Sequence, residues 1–250
     1  MKFTIIRFPT IDSTNSEAAN QAKRGAAEGV CVVADEQSSG RGRHGRQWIS
    51  AKDAGLFFSV VLRPRIDMRF FPLLTFVGAI SVFEALSETF SLSPDIKWAN
   101  DVLIGGQKIS GILAEAVETD LGIAVILGIG INLRSDHLPS ELRRIATSIE
   151  TQTGETPDKE LLLESLTRQI SKFYDLIKSP GGDDLIRKAW VERSSYAFGK
   201  PVRVKLDNET ILGNTAGIEP NGALRIAMES GEIRIVNTGE VEKLRTESAN

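Results

Sequence analysis

The segment Gln37-Ser38-Ser39-Gly40-Arg41-Gly42-Arg43-His44-Gly45-Arg46-Gln47-Trp48 lies between two short apolar runs, Val30-Cys31-Val32-Val33-Ala34 and Leu56-Phe57-Phe58-Ser59-Val60-Val61-Leu62. Glycine-arginine tracts also occur in disordered nucleic-acid-binding chains, where arginines meet phosphates and aromatics meet bases. The flanks decide between the two settings. Apolar, β-branched runs of strand length predict two buried strands, so the segment is a loop held on a rigid scaffold, the usual place for a binding site. Within it Gly40, Gly42 and Gly45 let the backbone approach a ligand where a Cβ would collide. Arg41, Arg43 and Arg46 carry forked donors suited to phosphate oxygens, and Trp48 offers a face to a flat base.

Outward from the loop the pattern is mixed. Residues 3–8 predict a strand, and Thr14-Asn15-Ser16-Glu17 has capping-box spacing ahead of a helix over 18–24. A long apolar helix is predicted over 72–90, and strands over 96–98, 102–104, 108–118 and 123–131. Gly105-Gly106 marks a hairpin turn between two of them. Thr156-Pro157-Asp158 opens a helix over 159–178, and another follows over 183–193. From 201 to 244 only short alternating runs remain, at 202–206, 224–228 and 233–236, separated by Asn221-Gly222 and Ser230-Gly231. They predict a compact all-β barrel of about 50 residues. Two domains are expected, 1–196 and 197–250.

With 250 residues, 41% hydrophobic and 25% charged, the chain is an ordinary globular protein, neither fibrous nor disordered. A net charge of −3 provides no general attraction to nucleic acid, so the loop arginines act locally. The single cysteine excludes an internal disulfide, and Cys31, inside an apolar run, reads as a buried small hydrophobe. The apolar run at the N-terminus is too short for a signal peptide and no stretch reads as membrane-spanning. A cytoplasmic protein with no membrane partner is expected.

Three further segments bear on chemistry. Lys97-Trp98-Ala99-Asn100-Asp101 places a cation, an amide and a carboxylate at a strand end, which suits either a converging site or a solvated turn. In Lys108-Ile109-Ser110-Gly111-Ile112-Leu113-Ala114-Glu115 a glycine within a strand suggests close approach to the backbone, or Lys108 simply faces solvent. Gly128-Ile129-Gly130-Ile131-Asn132 begins like a dinucleotide fingerprint, but Leu133 takes the place of the third glycine, so that reading fails. No Gly-x-x-x-x-Gly-Lys-Ser/Thr is present either, which removes a phosphate-binding P-loop.

Read together, these segments with Asp12-Ser13-Thr14-Asn15 and Gln37 resemble, in order and spacing, the biotin protein ligases over nearly the whole chain. Ala99 stands where that family usually has proline, a change that loosens the turn without removing a functional group. The resemblance implies an α+β catalytic domain, a mixed sheet packed with helices as in class II aminoacyl-tRNA synthetases, followed by an SH3-like β-barrel. Because the first strand begins at residue 3, the helix-turn-helix of repressor members, and with it DNA binding, is not expected.

The implied reaction has two steps: ATP and biotin form biotinyl-5′-adenylate, and a lysine of a biotin carboxyl carrier protein, from acetyl-CoA carboxylase or another biotin-dependent carboxylase, then takes the biotinyl group. Catalysis falls to Lys108, Arg43 and Asp101, with the cations screening the meeting of two anions and Asp101 orienting or deprotonating the incoming lysine. By similarity, Ser13, Thr14, Asn15, Gln37, Gly40, Arg41, Lys108 and Gly111 hold biotin. Arg41, Gly42, Arg43, Arg46, Trp48, Lys97, Asn100 and Asn132 hold the nucleotide, with Mg²⁺ on the pyrophosphate and no metal held by side chains alone. The loop is expected to order on ligand binding. A monomer or a homodimer fits equally well. Two alternatives stay open: a lipoate-type ligase, which needs an apolar channel in place of Ser13, Thr14 and Gln37, and a non-catalytic nucleic-acid-binding protein.

Overall fold

The computed structural model describes residues 1–136, 138–206 and 209–243, so positions 244–250 of the expected barrel lie outside it. The first part of the chain forms β1 (Thr4–Ile11), α1 (Thr14–Lys23), β2 (Val30–Gln37), β3 (Gly55–Leu62), α2 (Leu73–Phe90), β4 (Asp95–Lys97), β5 (Asp101–Ile104), β6 (Gln107–Thr119) and β7 (Gly122–Asn132). These strands make one sheet in the order β1-β2-β3-β7-β6-β5-β4. Only β1 and β2 run parallel; the other pairs are antiparallel. The β5–β6 hairpin turns on Gly105 and Gly106, at φ 57° and 81°, the left-handed pair that a two-residue hairpin needs.

Every residue of β3 is buried because the strand is covered on both faces. On one face Leu56, Phe58, Val60 and Leu62 meet α2 and two later helices, α4 (Lys159–Ile177) and α5 (Gly182–Glu192), where Trp190 stacks on Phe76 at 4.9 Å. On the other face Ala18 and Ala22 of α1 pack on Val32, Val61, Ala124 and Ile126. That second cluster is small, and it leaves the β4–β7 half of its face open.

Several details differ from the sequence reading. The cap of α1 is Ser13, one residue before the expected box, and the helix begins at Thr14. No stretch of membrane-spanning length is expected from sequence, yet α2, with 18 residues, is long and apolar enough by composition alone. It is a core helix, with Leu73, Leu74, Phe76, Val77, Ile80 and Leu86 all buried. The short α3 (Ile149–Thr153) has too few turns to leave a period, and the strands Thr210–Ile218 and Glu240–Lys243 fall outside the alternating runs named from sequence.

The C-terminal strands β8 (Phe198–Lys205), β9 (Thr210–Ile218), β10 (Leu224–Ala227), β11 (Ile233–Val236) and β12 (Glu240–Lys243) form an antiparallel sheet in the order β11-β10-β9-β8-β12. This is the small SH3-like all-β unit expected from sequence, and among the described residues no ladder joins β11 to β12. It is nonetheless strongly curled. Val236 and Glu240, on opposite edges, are four residues apart and span at most about 14 Å, whereas the edges of a flat five-stranded sheet stand about 19 Å apart.

Candidate active site

The register of the large sheet lines up Lys97 of β4, Asp101 of β5, Gly111 of β6, Gly130 of β7 and Phe57 of β3 in one row. Paired positions point to the same side, here the open face. The next row, nearer α1, holds Leu113, Gly128 and Ser59. Without side chains, Gly111, Gly128 and Gly130 form a trough. The Asn15 side chain fills it at Gly128, and the Trp48 indole fills it at the other two, where a Cβ would stand 2.9 and 2.6 Å from ring atoms. A cavity of about 1320 Å³ extends over this trough.

One end of the cavity is charged. Lys108 Nζ lies 2.6 Å from Asp101 Oδ1, and Lys97 Nζ lies 3.6 Å from Asp101 Oδ2, so one carboxylate sits between two ammonium groups. The Gly105-Gly106 hairpin brings Lys108 and Asp101 together. The same ammonium stands 5.2 Å from the centre of the Trp48 ring, within cation–π range. Arg43 Nη1 donates to Asn100 Oδ1 at 3.3 Å. Burial holds its pKa below the ordinary guanidinium value, opposed by Asp101 and reinforced by Arg46, yet the group remains charged. Asn100 Nδ2 donates to Ile112 O at 2.9 Å and Trp98 Nε1 to Gly222 O at 2.9 Å, so the turn carrying Ala99 is tied at both sides. Arg41 Nη2 meets Glu115 Oε1 at 2.6 Å, and Arg46 Nη1 meets Glu240 Oε1 of β12 at 2.9 Å. The C-terminal sheet therefore closes one side of the cavity, where Arg203 and Glu242 also line it.

The other end, beside the Arg41–Glu115 pair, is built of uncharged side chains. Ser13 is buried, and its Oγ caps α1 by accepting from Ser16 N. Thr14 donates to Gln37 Oε1 from both N and Oγ1, at 2.8 and 3.1 Å. Gln37 Nε2 donates to Ser50 Oγ at 2.7 Å, and Ser50 Oγ to Trp48 O at 3.1 Å. Asn132, also buried, donates from Nδ2 to Thr147 O at 2.9 Å. Gly42 N donates to Arg46 O at 2.7 Å, closing the tip of the loop.

The structure thus brings all the expected site residues to this cavity except Gly40, which is buried behind its wall against Ser50 and Gln37. The close approach expected at Gly111 is made by Trp48. Three features escaped the sequence reading. Ser59 links Thr14 to Asn15 from beneath; it is the one polar residue in the run of β3, a usable signal. Glu115 stands in a recognised motif but was given no role. Finally, Leu138, Leu142 and Arg144 line the cavity from a segment pinned to Lys108 by Lys108 N donating to Ile145 O and Thr147 N donating to Lys108 O. That stretch has no hydrophobic period to read, and His137 within it lies outside the described residues.

Residues 8–132 match the biotin/lipoate A/B protein ligase family, which leaves biotin and lipoate ligases together. Residues 197–244 match the biotin protein ligase C-terminal domain, which separates them. The chain belongs to the biotin protein ligase family. It is 34% identical over 241 residues to the bifunctional ligase/repressor BirA of Bacillus subtilis, covering 95% of this chain and 73% of that protein. It is 33% identical over 237 residues to the biotin–[acetyl-CoA-carboxylase] ligase of Paracoccus denitrificans, covering 92% and 96%. The structure of the Aquifex aeolicus biotin protein ligase in complex with biotin and ATP superposes with a TM-score of 0.84 at 30% identity, covering 97% and 99%. Membership makes this chain a ligase with the expected fold, and neither the lipoate-type nor the nucleic-acid-binding alternative stands. As a biotin protein ligase it carries its Gly-Arg loop directly over the glycine trough.

Proposed function

We propose that the chain activates biotin with ATP to biotinyl-5′-AMP and transfers the biotinyl group to a lysine of a biotin carboxyl carrier protein, that of acetyl-CoA carboxylase or of another biotin-dependent carboxylase. The observation that carries this reading is the Lys108–Asp101 pair beside Trp48, in a cavity that also holds the uncharged Ser13, Thr14 and Gln37.

In the first step a carboxylate oxygen of biotin attacks the α-phosphorus, and the bond to the β-phosphate oxygen breaks as pyrophosphate leaves with the electron pair. Both reactants are anions, so the barrier is largely electrostatic. Lys108 serves both anions, and Arg41, Arg43 and Arg46 surround the phosphates. Trp48, Gly42, Lys97, Asn100 and Asn132 form the nucleotide side. Ser13, Thr14 and Gln37 form the side facing the ureido ring, whose polar edge needs partners once it is buried.

In the second step the carrier lysine attacks the acyl carbon, the bond to AMP breaks, and the amine loses a proton. Asp101, paired with both Lys97 and Lys108, orients the incoming amine and can take its proton. Among the described residues no three metal-ligating side chains stand together, and the carboxylates at the cavity are paired with cations. Mg²⁺ therefore fits as an ion carried by the phosphates of ATP, which it neutralises, rather than as one caged by side chains.

We assign the chemistry to residues 1–196, and to 197–250 the closing of the cavity through Arg203 and Glu240. We assign carrier proteins in the cytoplasm as the partners; a net charge of −3 gives no general attraction to DNA or to an anionic membrane. Biotin-dependent exchange of pyrophosphate into ATP tests the reading. Exchange with biotin and not with lipoate is expected; exchange with lipoate alone, or with neither, overturns it.

A further inference from the structure

Asn15 is assigned to biotin by family resemblance, but both ends of its amide are bonded to protein. Oδ1 accepts from Ser59 Oγ at 2.6 Å, and Nδ2 donates to Glu115 Oε2 at 2.8 Å, with Leu113 O a further 3.4 Å acceptor. Rotating the amide would set its oxygen against the Glu115 carboxylate, so the surroundings permit one orientation. The side chain rests where a Cβ of Gly128 would otherwise be, which fixes its position as well.

The other oxygen of Glu115 takes a different partner: Oε1 accepts from Arg41 Nη2 at 2.6 Å. One carboxylate thus holds two donors, one from the start of α1 and one from the Gly-Arg loop. Only a carboxylate suits this place. It has two acceptor oxygens and no donor, whereas a glutamine would turn its NH₂ toward one of the two donors.

The connections continue. Ser59, fully buried, also lies 2.8 Å from Thr14 Oγ1, Thr14 is bonded to Gln37, and Gln37 reaches the Trp48 carbonyl through Ser50. The chain of hydrogen bonds starts at Arg41, passes through the uncharged end of the cavity, and returns to Trp48 at the far end of the same loop.

Glu115 is itself remote from the chemistry. It shares the open face with Gly111 but stands four residues along β6, about 14 Å away. Asp101 pairs with Gly111 and the Lys108 ammonium reaches the same row, so Glu115 can act on them only through what it holds.

We propose that Glu115 is a positioning residue that, braced by Asn15 and Ser59, sets the place of Arg41 at the phosphates. The inference rests on the proposed function. It adds a residue to the activation step and gives Asn15 the role of a strut rather than of a ligand contact.

The test is a double-mutant cycle in the biotin-dependent pyrophosphate exchange assay, with wild type, Glu115→Gln, Arg41→Ala and the double variant, each also followed by thermal melting. Glu115→Gln is expected to lower kcat/KM for ATP by about 10²-fold, the scale of a misplaced catalytic group, while the dissociation constant for biotin alone stays within about threefold. In the Arg41→Ala background the same change is expected to add almost nothing, since the residues act as a unit. Glu115→Asp, which keeps the charge at a shorter reach, is expected to restore part of the loss. Losses that multiply in the double variant, or a Glu115→Gln enzyme with wild-type kcat/KM, overturn the proposal. So does a loss that merely follows a lowered melting temperature and that Glu115→Asp does not relieve. A wild-type chain that shows no exchange overturns the proposed function itself, a result visible before any variant is compared.

Discussion

The indole of Trp48 rests on the bare backbone of Gly130: a methyl group built on that glycine would stand 2.6 Å from the ring Cε2. The indole Nε1 is buried there without a hydrogen-bond partner. An unmet buried donor costs about 1–3 kcal/mol. The loop itself is well fastened, with Gly40 O accepting from Trp48 N and Gly42 N bonded to Arg46 O.

Replacing Trp48 by alanine is therefore expected to weaken nucleotide binding by about 1–3 kcal/mol through the lost stacking face, with biotin affinity little changed. Calorimetric titration of each ligand separately checks this. Equal losses for both ligands would assign the tryptophan to the architecture of the loop.

Gly130→Ala examines the same contact from the other partner. The added methyl must displace the ring, because the backbone of a central strand cannot move away. A loss of nucleotide affinity comparable to that of Trp48→Ala is expected, with the fold retained by circular dichroism. Unaltered binding would mean that the ring does not depend on the trough.

Lys108→Ala removes the ammonium held 2.6 Å from Asp101. Loss of a group that stabilises developing charge lowers rates by about 10²–10³, and adenylate formation is expected to fall by that amount. Single-turnover formation of biotinyl-5′-AMP near the wild-type rate would show that Lys108 has no such role.

Asp101→Asn separates the two half-reactions. Orientation and proton acceptance are needed when the carrier lysine attacks, and their loss is expected to slow transfer by about 10²-fold, more than it slows pyrophosphate exchange. Mixing preformed adenylate with carrier protein measures the transfer step alone. An equal decline in both steps would reduce Asp101 to a partner for Lys97 and Lys108.

Burial pushes the Cys31 thiol up to about 12 from an ordinary value of 9.0. At pH 8 the thiolate is essentially absent from the native protein, and the thiolate is the reactive species. A disulfide reagent is expected to find no reactive thiol at pH 8 in the native chain and one in guanidinium. Rapid labelling of the native chain would show that the β2 region opens.

The parts of this protein legible in its sequence are those where one residue type answers one physical need. Gly111 announced a surface approached closely, and Gly128, Gly130, Lys108, Asp101 and Trp48 stood in segments whose spacing carried the family resemblance. What stayed hidden depends on which strands are neighbours. Ser59 matters because β3 lies beside β7, and Glu115 because β6 brings it below α1; no local pattern encodes either adjacency. The C-terminal strands announced a small all-β unit, but alternation predicts strands and not whether their edges join.

The row from Lys97 through Asp101, Gly111 and Gly130 to Phe57 crosses five neighbouring strands at right angles to their direction. Its spacing is fixed by backbone hydrogen bonding at about 4.8 Å per step, about 19 Å from end to end. The site thus works as a ruler whose divisions no side-chain substitution can stretch. Mutation can change what stands at each mark but not how far apart the marks are. Engineering the pocket for longer or shorter acids must then proceed by filling or emptying whole positions, Gly111 and Gly130 first among them.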